Sequence, residues 1–206
     1  MIAALAASLG LQPGDPAFWM PLVFMALLLL LIVAGIVFDG FDTGVGLLLQ
    51  LAPSESRGQM LGLLSAWRDA NEFWPLLGLG LFCAAFPFAW GPVLGKLYGP
   101  LACAAIGMAL RSVAFEFRLR ARTEHKPRWM LGFWLGSLLA ALGQGMALGR
   151  IATGYQDDPG YLGFAVFVGL CAVAAYALMG ACWLVMRVDG DLQRRAVGWA
   201  RHTVRW

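Results

Sequence analysis

Charge is what this chain has least of. Only 13% of its 206 residues are Asp, Glu, Lys or Arg, roughly half the share of a soluble domain. Hydrophobic residues make up 60% and the mean hydropathy is +0.71, which excludes an ordinary water-soluble enzyme. Histidine is almost missing. The two present, His125 and His202, stand in basic segments outside the apolar stretches, so neither can ligate a haem buried in a bundle. The four cysteines, Cys83, Cys103, Cys171 and Cys182, form no Cys-x-x-Cys or Cys/His cluster. That argues against zinc and iron–sulfur sites and for small packing residues. No glycine-rich run precedes a lysine in a phosphate-loop pattern and no dinucleotide fingerprint follows a strand, so nucleotide binding has no support. Alternating segments of strand length do not recur either, which argues against a membrane β-barrel.

Long apolar runs are present instead. A spanning helix needs about 20 mostly apolar residues. Stretches that qualify cover 18–38 (continuing to about 52), 73–89, 93–110 (continuing toward 117), 129–148 and 161–186. The reading is an all-α, polytopic transmembrane helical bundle of about five spans. Residues 1–17 are an N-terminal extracytoplasmic segment, 18–186 the transmembrane domain and 187–206 a basic cytoplasmic tail. The first segment is mildly apolar and lacks the positive n-region of a cleaved signal, which suggests a short surface helix or loose end. Pro13-Gly14-Asp15-Pro16 breaks the chain before the first span.

Arginine distribution sets the expected orientation. Arg118, Arg120, Arg122, Lys126 and Arg128 follow the third stretch; Arg187, Arg194, Arg195, Arg201 and Arg205 follow the fifth. Arg57 and Arg68 lie between the first and second. The opposite side has only Lys96 and Arg150. The positive-inside bias then puts the N-terminus outside and the C-terminus in the cytoplasm. The net charge of +3 reflects this topology and not nucleic-acid binding. Most of these basic residues are expected to anchor at membrane lipid.

Against this apolar background a few polar residues stand out. Asp39 and Asp42, in Phe38-Asp39-Gly40-Phe41-Asp42-Thr43-Gly44-Val45-Gly46, are carboxylates at membrane depth, which persist where they pair, hydrate or work. Their spacing of three puts both on one helix face, pointing into protein or water. Asp69, Asn71 and Glu72, in Trp67-Arg68-Asp69-Ala70-Asn71-Glu72-Phe73-Trp74, put three polar side chains within one turn where the second span begins. Such a cluster can hold water and pass protons. The plainer alternative is a helix cap, with Asp69 capping and Glu72 three later; spacing alone favours the cap. Arg68 and Glu72 form an i, i+4 pair. Arg111 is the one basic residue well inside its apolar stretch and needs a carboxylate or carbonyl partner: Glu116, or the aspartates of the first span. The alternative is snorkelling to the headgroups. Met179 and Met186 remain open as haem ligands, although Met in a membrane helix is far more often a packing residue. Gly-x-x-x-Gly spacings at Gly40/Gly44, Gly132/Gly136 and Gly145/Gly149 permit close helix approach.

Taken in order, these residues resemble subunit II of cytochrome bd-type quinol oxidases, including the cyanide-insensitive branch. The resemblance is carried by Asp39-Gly40-Phe41-Asp42-x-Gly44-Val45-Gly46, Asp69-x-Asn71-Glu72-x-Trp74, Phe86-Pro87 and Arg111-x-Val113-x-Phe115-Glu116-Phe117-Arg118. Gly136-Ser137, Gly180-Ala181-Cys182-Trp183-Leu184 and Gly190-Asp191-Leu192-Gln193 extend it from about Phe24 to the C-terminus. It implies a multi-pass subunit of the bacterial inner membrane that binds no haem or metal itself and has no catalytic residue of its own. Its partner would be a subunit I carrying b-type and d-type haems, with quinol as substrate of the complex. Whether a quinone sits in this chain is left open. Asp69 matches the family's aspartate at the start of the second span, near a cytoplasmic proton pathway; Asp39 and Asp42 would face subunit I or a hydrated interior.

Two features depart from the family pattern. Arg68 stands where the family has Trp, with Trp67 one residue earlier, and a guanidinium paired with Asp69 would make it a poorer proton relay. Full members are also built from two related halves and are much longer, so the sequence reads as a short form. The preferred expectation is an accessory subunit supporting assembly and proton supply, with Asp69, Asp39, Asp42, Asn71, Glu72, Arg111 and Glu116 as the proton-pathway or buried polar residues. The alternative is a degenerate paralogue acting as a structural or assembly protein. A proton-coupled transporter is disfavoured by the lack of inverted repeats.

Overall fold

A computed structural model describes residues 2–64 and 68–205. Among these residues the secondary structure is entirely helical: α1 (Ile2–Ser8), α2 (Pro16–Leu48), α3 (Ser54–Leu64), α4 (Arg68–Ala85), α5 (Trp90–Arg120), α6 (Lys126–Ala152), α7 (Pro159–Arg187) and α8 (Gly190–Arg205). Four of them, α2, α5, α6 and α7, are long and apolar enough to cross a membrane. At 1.5 Å per residue, the 33 residues of α2 extend about 50 Å, more than a bilayer core requires. The shorter α4 coincides with the second apolar stretch but carries Arg68, Asp69 and Glu72 in its 18 residues. These five helices are consistent with the expected bundle of about five spans.

Local chemistry sets the helix starts. Asp15-Pro16 and Asp158-Pro159 open α2 and α7 with an extended Asp followed by proline in the first turn. Proline there loses no hydrogen bond, because the first turn has no intrahelical acceptor for its N–H. After α2 the chain turns, and Arg57 closes the exit by donating from Nε to the Ala52 carbonyl (3.0 Å) and from Nη2 to that of Gln50 (3.2 Å).

Small residues let the helices approach closely. A Cβ on Gly44 would collide with the Tyr176 carbonyl oxygen and lie 2.6 Å from the Gly180 nitrogen, so α2 and α7 touch backbone to backbone. Gly136 does the same for α5 and α6, since a Cβ there would meet the Arg111 nitrogen at 2.6 Å. Gly145 and Gly149 face Gly169 and Ala165 of α7. All three predicted glycine spacings therefore lie at helix contacts. The Gly136 contact also sets where Arg111 stands.

The apolar core is concentrated at one end of the bundle. Val45, Leu48 and Leu49 meet Met60, Leu61 and Leu64 of α3, Phe115 of α5, Phe133 of α6, Leu184 of α7 and Leu192 and Ala196 of α8. Helices α3 and α8 fall in segments the sequence reading treats as connecting loop and basic tail. The buried positions Leu192 and Ala196, with Trp199 and Ala200 packed beside them, follow helical spacing. The arginines Arg194, Arg195, Arg201 and Arg205 stay exposed on the other face. The first half of α2, by contrast, exposes Met20, Val23, Leu29, Leu30 and Val33, an apolar surface suited to lipid or another chain.

Candidate functional site

The polar residues of α2 point inward just where α4 and α5 reach it. Asp39, Asp42 and Thr43 are 2%, 4% and 1% exposed, and Arg111 from α5 is fully buried. Arg111 donates from Nη2 to Asp39 Oδ1 and from Nη1 to Thr43 Oγ1. The Thr43 hydroxyl donates in turn to Asp39 Oδ2 at 3.2 Å. Thr43 follows Asp39 by four residues, one helical turn, so a single face of α2 presents both groups to the guanidinium. Of the partners open to Arg111, the structure selects Asp39 and excludes Glu116. Snorkelling is excluded too, since the side chain is enclosed.

Helix α4 supplies the third wall. Glu72 Oε1 accepts from Arg68 Nη1 at 2.8 Å and lies 3.3 Å from Arg111 Nη2. Its other oxygen is 2.6 Å from the Ser112 hydroxyl. That hydroxyl also lies 3.0 Å from the Met108 carbonyl and, having one proton, donates to one of them at a time. Asn71 donates from Nδ2 to Asp42 Oδ2 at 3.0 Å. Among the described residues no cation pairs with Asp42. The cluster thus holds two kinds of carboxylate: Asp39 and Glu72 have guanidinium counter-ions, while Asp42 has an amide partner only.

Asp69 and Glu116 lie at the rim. The Asp69 side chain is 80% exposed and accepts from Arg68 Nη2 at 2.7 Å. Glu116, 45% exposed, is 3.7 Å from Arg68 and 3.6 Å from Arg120. Asp69 is itself helical, whereas a capping residue has non-helical backbone, so the capping alternative is not what the structure adopts. Trp67, part of the same sequence motif, lies outside the described residues. The structure brings Asp39, Asp42, Asn71, Glu72 and Arg111 together; Asp69 and Glu116 border them. The sequence reading misses Thr43 and Ser112, whose hydroxyls are unremarkable in a helix, although one is a turn from Asp39 and the other is next to Arg111. It also misses the half-buried hydrogen bond from the Tyr176 hydroxyl to Gln144 Oε1, which joins α7 to α6.

A separate cluster closes the far end of α5 and α6. Asp157 accepts from Lys96 at 2.8 Å and from Arg150 at 2.7 Å. These two hydrogen bonds, Lys96 first, hold the Asp157 carboxyl down at about 2, below its usual 3.8. The clasp borders an open cleft of ≈ 650 Å³ lined by Pro92, Lys96, Tyr155 and Asp157.

Of the common axial haem ligands, the spanning helices carry methionine but not histidine. His125 precedes α6 and His202 lies on α8, so the spanning helices supply no imidazole. The Met179 methyl packs against Gly40 and Met186 is 72% exposed. Among the described residues no group of three or more His, Cys, Asp or Glu could hold a metal ion.

These features define a multi-pass helical membrane protein with a buried ion-paired cluster shared by three helices. The chain belongs to the cytochrome bd terminal oxidase subunit II family, whose model matches residues 20–206. It is similar to cytochrome bd ubiquinol oxidase subunit 2 of Bacillus subtilis (strain 168), 28% identical over 189 residues, which cover 84% of this chain and 55% of that protein. Cytochrome bd-I ubiquinol oxidase subunit 2 of Escherichia coli (strain K12) is 26% identical over 183 residues, covering 80% and 48%. Probable cytochrome oxidase subunit 2 of Haemophilus influenzae is 26% identical over 191 residues, covering 84% and 50%. The chain spans about half the length of the curated relatives it matches.

Proposed function

We propose that this chain is a haem-free accessory subunit of a cytochrome bd-type quinol:oxygen oxidoreductase. In this reading it resides in the bacterial inner membrane, N-terminus outside, and pairs with a haem-bearing subunit I. The haems of that partner oxidise quinol and reduce oxygen; this chain contributes assembly and protons. The observation that carries the reading is the cluster of buried Asp39, Asp42 and Arg111 with half-buried Glu72, continuous at one edge with the exposed Asp69 and Glu116.

Each residue has a definite task here. Arg111 fixes Asp39 and Glu72 as counter-ions at membrane depth, where unpaired charge is costly. Ser112 hands Glu72 a rotatable hydroxyl that can swing between two acceptors. Asp42, oriented by the Asn71 amide and free of a guanidinium, is the carboxyl placed to take up and release a proton. Asp69 and Glu116 collect protons at the rim.

Copurification tests the subunit assignment, and Asp42→Asn tests the proton assignment. In a purified complex this variant should lower quinol-dependent oxygen uptake while haem content stays normal. Wild-type uptake would remove Asp42 from proton supply. One observation favours a second reading, a structural or assembly protein: Arg68 pairs with Asp69 at the rim, where a fixed ion pair would hinder proton entry. Normal haem spectra and oxygen uptake in a deletion strain would select that alternative.

A further inference from the structure

Helices α4 and α5 run antiparallel but approach each other only sparsely along their backbones. Helices α5 and α6, by contrast, are packed tightly along their length. What joins α4 to α5 is a line of side chains, and Arg68 makes its outermost link. Its guanidinium bonds Asp69 and Glu72 on its own helix and reaches Glu116 on α5 at 3.7 Å. It also lies 4.4 Å above the ring of Phe115, itself buried, within the range of a cation–π contact. One turn further into the bundle, Glu72 meets Arg111 and Ser112 of α5. Arg68 is only 3% exposed, although two of its carboxylate partners are open to solvent, and its Nε has no hydrogen-bond partner among the described residues. An arginine drawn into this position against open water is held by the sum of its contacts, not by one surface ion pair.

We propose that Arg68 is a positioning residue: a latch that ties the charged end of α4 to α5 and holds Glu72 against Arg111. The latch stands in for the backbone packing these two helices lack. The role of the latch in turnover rests on the proton-supply reading above; its structural part does not.

The test uses the full chain in lipid nanodiscs, spin-labelled at Leu77 on α4 and Ile106 on α5. Both positions are exposed, and the antiparallel pairing of Glu72 with Arg111 puts them at one level. Double electron–electron resonance should show a longer and broader distance in Arg68→Gln, and the wild-type distance in Arg68→Lys. Glu116→Gln, which removes only the rim partner on α5, should shift the distance in the same direction by less. Wild-type distances in both Arg68→Gln and Glu116→Gln overturn the proposal. In the purified oxidase complex, Arg68→Gln should lower kcat with the KM for quinol unchanged, and Arg68→Lys should restore it. Altered distances with unaltered kcat keep the latch and remove Glu72 from proton supply, so the two readings fail separately.

Discussion

Arg111 and Asp39, 72 positions apart in the sequence, form a fully enclosed ion pair between α5 and α2. Thr43 sits beside both, accepting from the arginine and donating to the aspartate. The pair fixes the relative height of two helices whose backbones have almost no close approach of their own, and it anchors the cluster to which Glu72 is added.

Breaking this pair on one side leaves the other charge buried and alone. Arg111→Gln should therefore cost about 3–5 kcal/mol, seen as a lower thermal midpoint and poor yield in detergent. The double variant Asp39→Leu, Arg111→Leu should recover much of that loss, because apolar side chains can replace a buried pair. A double variant no more stable than Arg111→Gln would contradict this account.

Asp42 should behave differently. Among the described residues it has no cationic partner, so Asp42→Asn should change stability by less than about 1 kcal/mol, in the range of ordinary substitutions. Oxygen uptake of the complex should nevertheless fall by about tenfold or more, the scale on which positioned proton-transfer groups act. Equal thermal midpoints with unequal turnover is the expected signature.

At the contact of α2 with α7, Gly44→Ala should destabilise by about 1–3 kcal/mol, as overpacking does. Its Cβ would meet backbone atoms of Tyr176 and Gly180, not a flexible side chain. Gly163→Ala on α7, where an added Cβ meets nothing within 4 Å among the described residues, is the control and should be neutral or slightly stabilising. Thermal unfolding in the same detergent compares the two.

The Asp157 clasp predicts an acid-sensitive end of the bundle. Its carboxyl titrates at about 2 in the folded chain against 3.8 ordinarily. A depressed carboxylate contributes stability that is complete above its unfolded value and lost as pH falls through the folded one. Thermal midpoints measured between about pH 5 and pH 2 should decline for the wild type. Asp157→Asn should show a shallower decline, and its midpoint should match the wild type most closely at the acid end.

Much of this architecture is legible in the sequence, for reasons that particular residues show. The spans appear as long apolar runs, and Asp39, Asp42 and Arg111 stand out because charge is rare there. The partner of Arg111 stays open between Glu116 and the aspartates, because helix register across 72 positions has no local pattern. Arg68 reads as the i, i+4 partner of Glu72 and a neighbour of Asp69, and nothing local indicates that it also lies over Phe115 and reaches Glu116. Thr43 and Ser112 carry no signal until the third dimension puts an ionised group beside each. Helices α3 and α8 are missed for another reason: their charged residues suggest loop and tail, although Leu192, Ala196 and Trp199 keep helical spacing.

Purification from native membranes in mild detergent, with an absorption spectrum and identification of bound chains, tests the central claim most directly. The account predicts that this chain is recovered with a larger haem-bearing subunit, that b-type and d-type haem bands are present, and that the preparation oxidises quinol with oxygen. A colourless chain recovered alone, from membranes that retain their full quinol oxidase activity without it, would contradict it.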